Sequence, residues 1–343
     1  MLFSVLLLKK SAHMKSMFLR CAFVVLSISM LGSYLHAGIV TFGSDGNQFN
    51  MEFVTIGNPG NAPDTDPNAR PISATLGAVG YTYGIGKFEV SEGMITKFNA
   101  SQSLQIAVSG RGVNKPATYV SWNEAARFVN WLNTSTGGFA AYKFTTGGVN
   151  DNIAVWTASD TLDYDASNPY RSKRATYVLP SYNEWYKAAY YNPSNSTYYD
   201  FPNGSDIRPT AVTGGLSGAV YTQAGEASPT GPTDVTNAGG LSPYGVMGLG
   251  GNVFEWDENS FDLTNSSGSS LRGFRGGGWF FNSSYLPSSA RINGGTGDKI
   301  VDVGFRVASL SSSAPPAVPE PSMLVIGTLF GLGGLVAKRR RKK

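Results

Sequence analysis

The sequence predicts a loop-rich domain in which a few helices are set among many short strands. Three observations carry that reading. Glycine accounts for 42 of 343 residues, about 12%, against a usual ~7%. Charged residues are only 15%, and Ser, Thr, Asn and Tyr fill the polar share, which argues against a helical bundle. Hydrophobic residues at 41% and aromatics at 12% can bury a sizeable core, which argues against disorder.

The elements follow in chain order. Lys15 and Arg20 precede an apolar run from Cys21 to Leu31, then Gly32, Ser33 and Leu35-His36-Ala37. This is a basic region, an apolar region and a cleavage site before Gly38, so residues 1–37 read as an export signal, with Met1, Met14 or Met17 as the start. The apolar run is short for a spanning helix, and Arg20 ahead of Cys21 argues against a lipoprotein. The body, 38–310, opens into an irregular stretch at 57–78. Ser91 is a helix start, with Met94, Ile95 and Phe98 behind it. Ser121-Trp122-Asn123-Glu124 is a capping box: the serine accepts the third helical N–H and the glutamate reaches back. Ala125, Phe128, Val129 and Leu132 follow at helical spacing. Ser181-Tyr182-Asn183-Glu184 is a second capping box, trailed by Trp185, Ala188 and Ala189. A second irregular stretch covers 192–240. Residues 311–321, SSSAPPAVPEP, form a Pro/Ser linker. Residues 322–337 carry no charge and read as a short transmembrane helix with snorkelling flanks. The basic tail 338–343 fixes that end in the cytoplasm, so the body lies outside, membrane-anchored by the C-terminal segment before processing.

Composition also excludes chemistry. The only cysteine is Cys21 and the only histidines are His13 and His36, all inside the leader. An exported body without them has no disulfide, no Cys/His zinc site, no cysteine nucleophile and no Ser–His–Asp triad. Four of the 27 basic residues lie in 1–37 and six in 338–343; the 17 that remain face 23 acids, a net −6. The basic pI thus belongs to the chain ends, and no nucleic-acid partner is expected.

The C-terminal segment, Val318-Pro319-Glu320-Pro321 followed by an apolar helix and an Arg-rich end, resembles the PEP-CTERM sorting signal. That resemblance implies an exosortase-type processing protease as partner and delivery to the cell surface, outer envelope or extracellular matrix. The body resembles the formylglycine-generating enzyme (sulfatase-modifying factor) family. Six stretches carry the likeness in family order over 54–308: Tyr83–Ser91, Val120–Ala125, Leu179–Ala189, Gly251–Trp256, Arg275–Trp279 and Gly304–Arg306. The resemblance implies a single α+β, C-type lectin-like domain with little regular secondary structure.

The family's catalytic enzymes use two cysteines, five residues apart, ahead of an Ala-Arg pair and the closing Gly-Phe-Arg. Counted back from Ala290-Arg291, those positions are Ser283 and Ser288. Hydroxyls are neither thiolates nor soft copper ligands, and the histidine-built iron sites of another family branch are closed as well. No copper, iron or zinc is therefore expected. The family's calcium site carries over to Gly251, Val253 and Glu255, with Gly248 where an Asp or Asn is usual; calcium is expected to bind weakly, if Glu255 does not simply brace the loop. Arg275, Arg291 and Arg306 are expected to pair with buried carboxylates such as Glu89, Glu184 or Glu255. Asp64-Thr65-Asp66 reads as an acidic turn. The aromatic-rich middle, Trp156 to Tyr199, either caps loops or stacks on sugars or peptides. Two functions follow: a non-catalytic binding or structural module for a surface glycan or peptide, or an enzyme using carboxylate or tyrosine chemistry in the family groove.

Overall fold

Gly38–Phe42 and Phe49–Ile56 alternate inward and outward side chains and pair as an antiparallel hairpin, β1 and β2, in register from Gly38↔Phe53 to Phe42↔Phe49. The turn between them holds Gly43, Asp45 and Gly46 at positive φ, the conformation that glycine takes without a Cβ penalty. The computed structural model describes residues 38–310 apart from Ile72 and Asn152. The segments read as leader, linker, spanning helix and basic tail lie outside them. Among the described residues no helix is long and apolar enough to cross a membrane.

β2 pairs with β3, Tyr83–Gly86. The five-stranded sheet is completed by the last strand of the domain, β13, Ala308–Ser309, which sits antiparallel between β3 and β6, Tyr177–Val178. The closing segment of the domain therefore locks onto its opening segment. A second sheet has the order β11-β10-β9-β12, with β9 spanning Phe254–Ser260, β10 Arg272–Arg275, β11 Ile292–Gly294 and β12 Val303–Gly304. Two short hairpins, β4–β5 (Lys143–Phe144, Ile153–Ala154) and β7–β8 (Tyr191–Asn192, Thr197–Tyr198), stand apart. Among the described residues the architecture is thus mixed strands with three helices, most of that stretch being loop.

All three helix starts fall where the sequence places them. α1, Glu92–Ser101, is capped by Ser91. α2, Trp122–Ser135, and α3, Tyr182–Tyr190, each carry a complete capping box. In α2 the Ser121 Oγ accepts the Glu124 N–H at 3.1 Å and the Glu124 carboxylate accepts the Ser121 N–H at 2.9 Å. α2 buries Trp122, Phe128, Val129 and Leu132 in a core shared with Phe98, Phe254, Trp256 and Phe305. α3 buries Trp185, Tyr186 and Tyr190 in a second cluster with Ile85, Val246 and Leu249. Truncating a ring such as Phe128 in such a core typically costs about 3–5 kcal/mol. α3 also packs on β9, and the contact between them builds the site below.

Candidate functional site

β9 is buried over its whole length although it reads Phe-Glu-Trp-Asp-Glu-Asn-Ser. Three acids without solvent must find cations or donors inside the fold, and each has. Glu255 is gripped by Arg306, whose Nε lies 2.5 Å from Oε2 and whose Nη2 donates to Oε1; the Trp185 indole N–H donates to Oε2 at 2.7 Å. The rest of the Arg306 fork donates to the carbonyls of Gly86 and Met247 at 2.8 and 2.9 Å. Asp257 takes Arg291 through both oxygens at 3.0 Å. Glu258 takes the Arg171 Nε at 3.1 Å.

The expected pairing of arginines with buried carboxylates thus holds for Arg306 with Glu255 and for Arg291 with Asp257, and fails for Arg275. Arg291 is satisfied by Asp257, one turn of the pleat along β9. Arg275 meets no carboxylate: it donates to the Arg70 carbonyl and lies against the rings of Trp185, Tyr186 and Tyr190, with its carbon centre 5.1–5.9 Å from their centroids. Tyrosine and tryptophan faces replace an anion here. Glu184 pairs with Arg171, which no motif announced.

Glu255, the one side chain among the residues carried over as calcium ligands, does not fit that ion as it stands. Both Glu255 oxygens are spent on a guanidinium and an indole, and a divalent cation there would face the Arg306 charge at contact distance. Gly251 is pinned at φ +84°, its N–H donating to the Gly276 carbonyl at 2.7 Å, and Val253 is fully buried. Gly248 has its own reason for being glycine. It lies at φ +76°, and a Cβ there would sit 2.8 Å from the Glu89 Oε1. Glu89 accepts the Asn252 amide at 2.9 Å through that oxygen, while its Oε2 has no hydrogen-bond partner among the described residues. Burial, reinforced by the neighbouring Glu255 and opposed by Arg306, pushes Glu89 up to about 8.

Beside this network a polar groove of about 330 Å³ opens between α3 and the loops after β9, with Tyr81, Arg171, Tyr182, Asn183, Asn259 and Asn265 among its lining. Beneath it lies a knot centred on Arg171, Glu184 and Glu258. Arg171 Nη2 and Nη1 reach the two Glu184 oxygens at 3.1 and 3.4 Å while its Nε holds Glu258. Glu184 also accepts the Tyr81 hydroxyl and, as the capping-box glutamate, the Ser181 N–H at 2.6 Å. Glu258 accepts the Tyr142 hydroxyl at 2.8 Å and the Asn168 amide. Burial, with Glu184 adding to it and Arg171 opposing it, pushes Glu258 up to about 7; burial and Glu184 push the Tyr81 hydroxyl well above the usual phenol range. Neither glutamate lines the groove itself.

Ser283 and Ser288 lie elsewhere. Ser283 starts a 3-10 turn, Ser283–Tyr285, capped by Asn282, and its hydroxyl donates to Gln223 at 3.1 Å. Ser288 is 3% exposed; its N–H donates to the Asp200 carbonyl and its carbonyl accepts the Arg70 N–H. In the acidic turn, Asp64 and Asp66 accept N–H groups two residues on, and Asp64 also takes the Tyr186 hydroxyl. Of the aromatic-rich middle, Tyr170, Tyr186, Tyr190 and Tyr191 are core, whereas Tyr182 reaches the groove.

Residues 73–310 match the sulfatase-modifying factor enzyme 1-like domain family. Among solved structures, a variable protein of Treponema denticola is similar at 20% identity over 79% of this chain and 98% of that one, with a TM-score of 0.53. CarF is similar at 18% identity over 76% of this chain and 98% of that one, with a TM-score of 0.55. At these identities the two structures speak for the fold. A search of curated proteins gives no significant match.

Proposed function

This chain belongs to the sulfatase-modifying factor enzyme 1-like domain family, and we propose that it uses the family fold without the family's oxidative chemistry, as an exported binding module delivered to the bacterial cell surface. The observation that carries the reading is the donor set. From residue 38 onward the sequence has neither cysteine nor histidine, and serine occupies positions 283 and 288. A serine hydroxyl supplies no thiolate for copper or for an activated sulfur.

The competing reading is an enzyme working with carboxylates or tyrosines. In the polar groove beside Tyr81, away from Ser283 and Ser288, the geometry speaks against it. Every oxygen of Glu184 and Glu258 is already in a hydrogen bond or ion pair inside the knot, and the Tyr81 hydroxyl is held by Glu184. A general acid or base has to reach the ligand's proton within hydrogen-bond distance, and these groups face the protein. Export and sorting rest on the leader at 1–37 and the Pro-Glu-Pro tail; the apolar segment 322–337 would hold the protein in the membrane until the sorting protease removes it.

Two measurements test this. Incubation with copper, oxygen and a cysteine-containing sulfatase peptide should yield no aldehyde; aldehyde formed by the purified protein overturns the non-catalytic reading. The intact mass of protein extracted from the cell surface should lack residues 1–37 and the segment after about Pro321; a full-length mass overturns the export reading.

A further inference from the structure

We propose that the groove between Tyr81 and Asn265 binds a neutral saccharide. This deepens the binding-module reading and rests on it.

Three asparagines set the recognition. Asn183 Oδ1 accepts the Gly77 N–H at 2.8 Å, Asn259 Oδ1 accepts the Tyr182 N–H at 2.9 Å, and Asn265 Oδ1 accepts the Ser260 N–H at 3.0 Å. A main-chain N–H can only donate, so each amide is fixed with its oxygen inward. Each Nδ2 is left without a protein acceptor among the described residues. Asn259 and Asn265 are only 5% and 7% exposed, and both line the groove, so what they show to solvent they show there. The lip that carries Asn265 is under tension: Leu263 and Asn265 both lie at positive φ, 62° and 51°. A leucine in that region costs about 1 kcal/mol or more and persists where the surroundings impose it.

The charge of the site decides among ligands with acceptor oxygens. Arg171 is the cation nearest the groove, but its Nε and both Nη groups are committed to Glu258 and Glu184. One positive charge is backed by two carboxyl groups. A phosphate, sulfate or carboxylate would meet a guanidinium whose charge two carboxyl groups already offset, with three of its five N–H groups turned to them. A peptide would bring N–H groups that need acceptors, whereas each asparagine oxygen already takes a main-chain N–H and the polar atoms the three amides leave unbonded are N–H donors. Sugar hydroxyls suit the groove because each can accept from an amide and turn its own proton to water. Tyr81, 44% exposed, and Tyr182, whose hydroxyl is held by Thr75 at 3.1 Å, add ring faces for the C–H side of a sugar. The volume, about 330 Å³, is at the small end for ligand sites of about 300–1,000 Å³, which suits a short saccharide unit.

The test uses the purified exported protein on an array of neutral oligosaccharides, acidic oligosaccharides and peptides, with calorimetry on any hit. A neutral saccharide should bind. Asn265→Asp, which keeps the inward oxygen and removes the outward N–H pair, should weaken it at least tenfold, and Tyr81→Ser should do so where Tyr81→Phe, which also loses the hydrogen bond to Glu184 but keeps the ring, does not. Tyr81 is at the surface, so its variant remains informative if the asparagine variant fails to fold. Binding that both folded variants retain overturns the assignment of this groove. Binding to an acidic saccharide or a peptide alone, or to nothing on the array, overturns the ligand class. Aldehyde formation in the copper assay would instead overturn the binding-module reading beneath it.

Discussion

Replacing Glu89 with glutamine should stabilise the protein at alkaline pH and leave it nearly unchanged in acid. Two carboxyl groups, Glu89 and Glu255, are buried with one guanidinium, Arg306, and Arg306 is bound to both oxygens of Glu255. The surplus proton therefore sits on Glu89, whose Oε2 has no hydrogen-bond partner among the described residues. The folded protein releases it at about 8, against an ordinary value of 4.5. Between those values the folded state holds more protons than the unfolded chain, so the stabilisation is complete below about pH 4.5 and is lost as pH rises through about 8. At about 1.4 kcal/mol per pH unit, the wild type gives up at most about 3 kcal/mol by about pH 7 and at most about 5 kcal/mol by about pH 8. Glutamine has the shape of the protonated acid and carries no such dependence. Glu258, raised to about 7, titrates in both proteins, so the difference between them isolates Glu89. Urea unfolding from about pH 4.5 to 9 reads it directly. The gap between Glu89→Gln and wild type should open steadily with pH. A gap of constant size across the range would refute the assignment of the proton to Glu89.

Arg306→Met leaves the Glu255 carboxylate buried without its cation and should cost about 3–5 kcal/mol in urea unfolding. Gly251→Ala forces a Cβ to 2.5 Å from the Val220 carbonyl oxygen at φ +84°; it should cost about 1–3 kcal/mol, again by urea unfolding. Calcium and chelator should give the same thermal midpoint, because Arg306 and Trp185 hold the Glu255 oxygens; a rise with calcium that Glu255→Ala abolishes would show that the ion displaces them.

What was legible in the sequence was local. Ser121 with Glu124 and Ser181 with Glu184 announce their helices because both capping partners sit within one turn. Glu255 and Arg306 were visible as buried partners because each sits in a strongly patterned stretch. The hairpin of β1 and β2 carries a weaker signal, the glycines at 43 and 46 between two apolar runs. The knot beneath the groove had none. Arg171, Glu184 and Glu258 come from a loop, a helix and a strand that meet only when α3 packs on β9, and neither Arg171 nor Glu258 falls in a motif. The sequence marks Glu184 as a cap and as a buried partner for an arginine; that the arginine is Arg171, with Tyr81 beside it, depends on tertiary placement. The amides at 183, 259 and 265 look like loop polarity in sequence. Their orientation follows from which main-chain N–H each one meets.

The same knot explains why convergent acids do not make this groove catalytic. A carboxyl group acts on a ligand when burial or a neighbour shifts its pKa and one oxygen stays open to the ligand. Glu258 meets the first condition, at about 7, and fails the second, since Tyr142, Asn168 and Arg171 occupy it. The Arg171 guanidinium is planar and forks between two acids, so its charge is consumed in fixing α3 against β9. What the fold leaves available at the mouth is neutral: amide N–H groups and phenol rings. Because the amide oxygens are tied to main-chain N–H groups and the phenol hydroxyls to Glu184 and Thr75, these groups are held in place before any ligand arrives, and less ordering remains to oppose binding. Opening the knot would free a carboxylate but release the helix that positions Tyr182 and Asn183, so in this arrangement the groove cannot gain an acid–base pair without losing its wall.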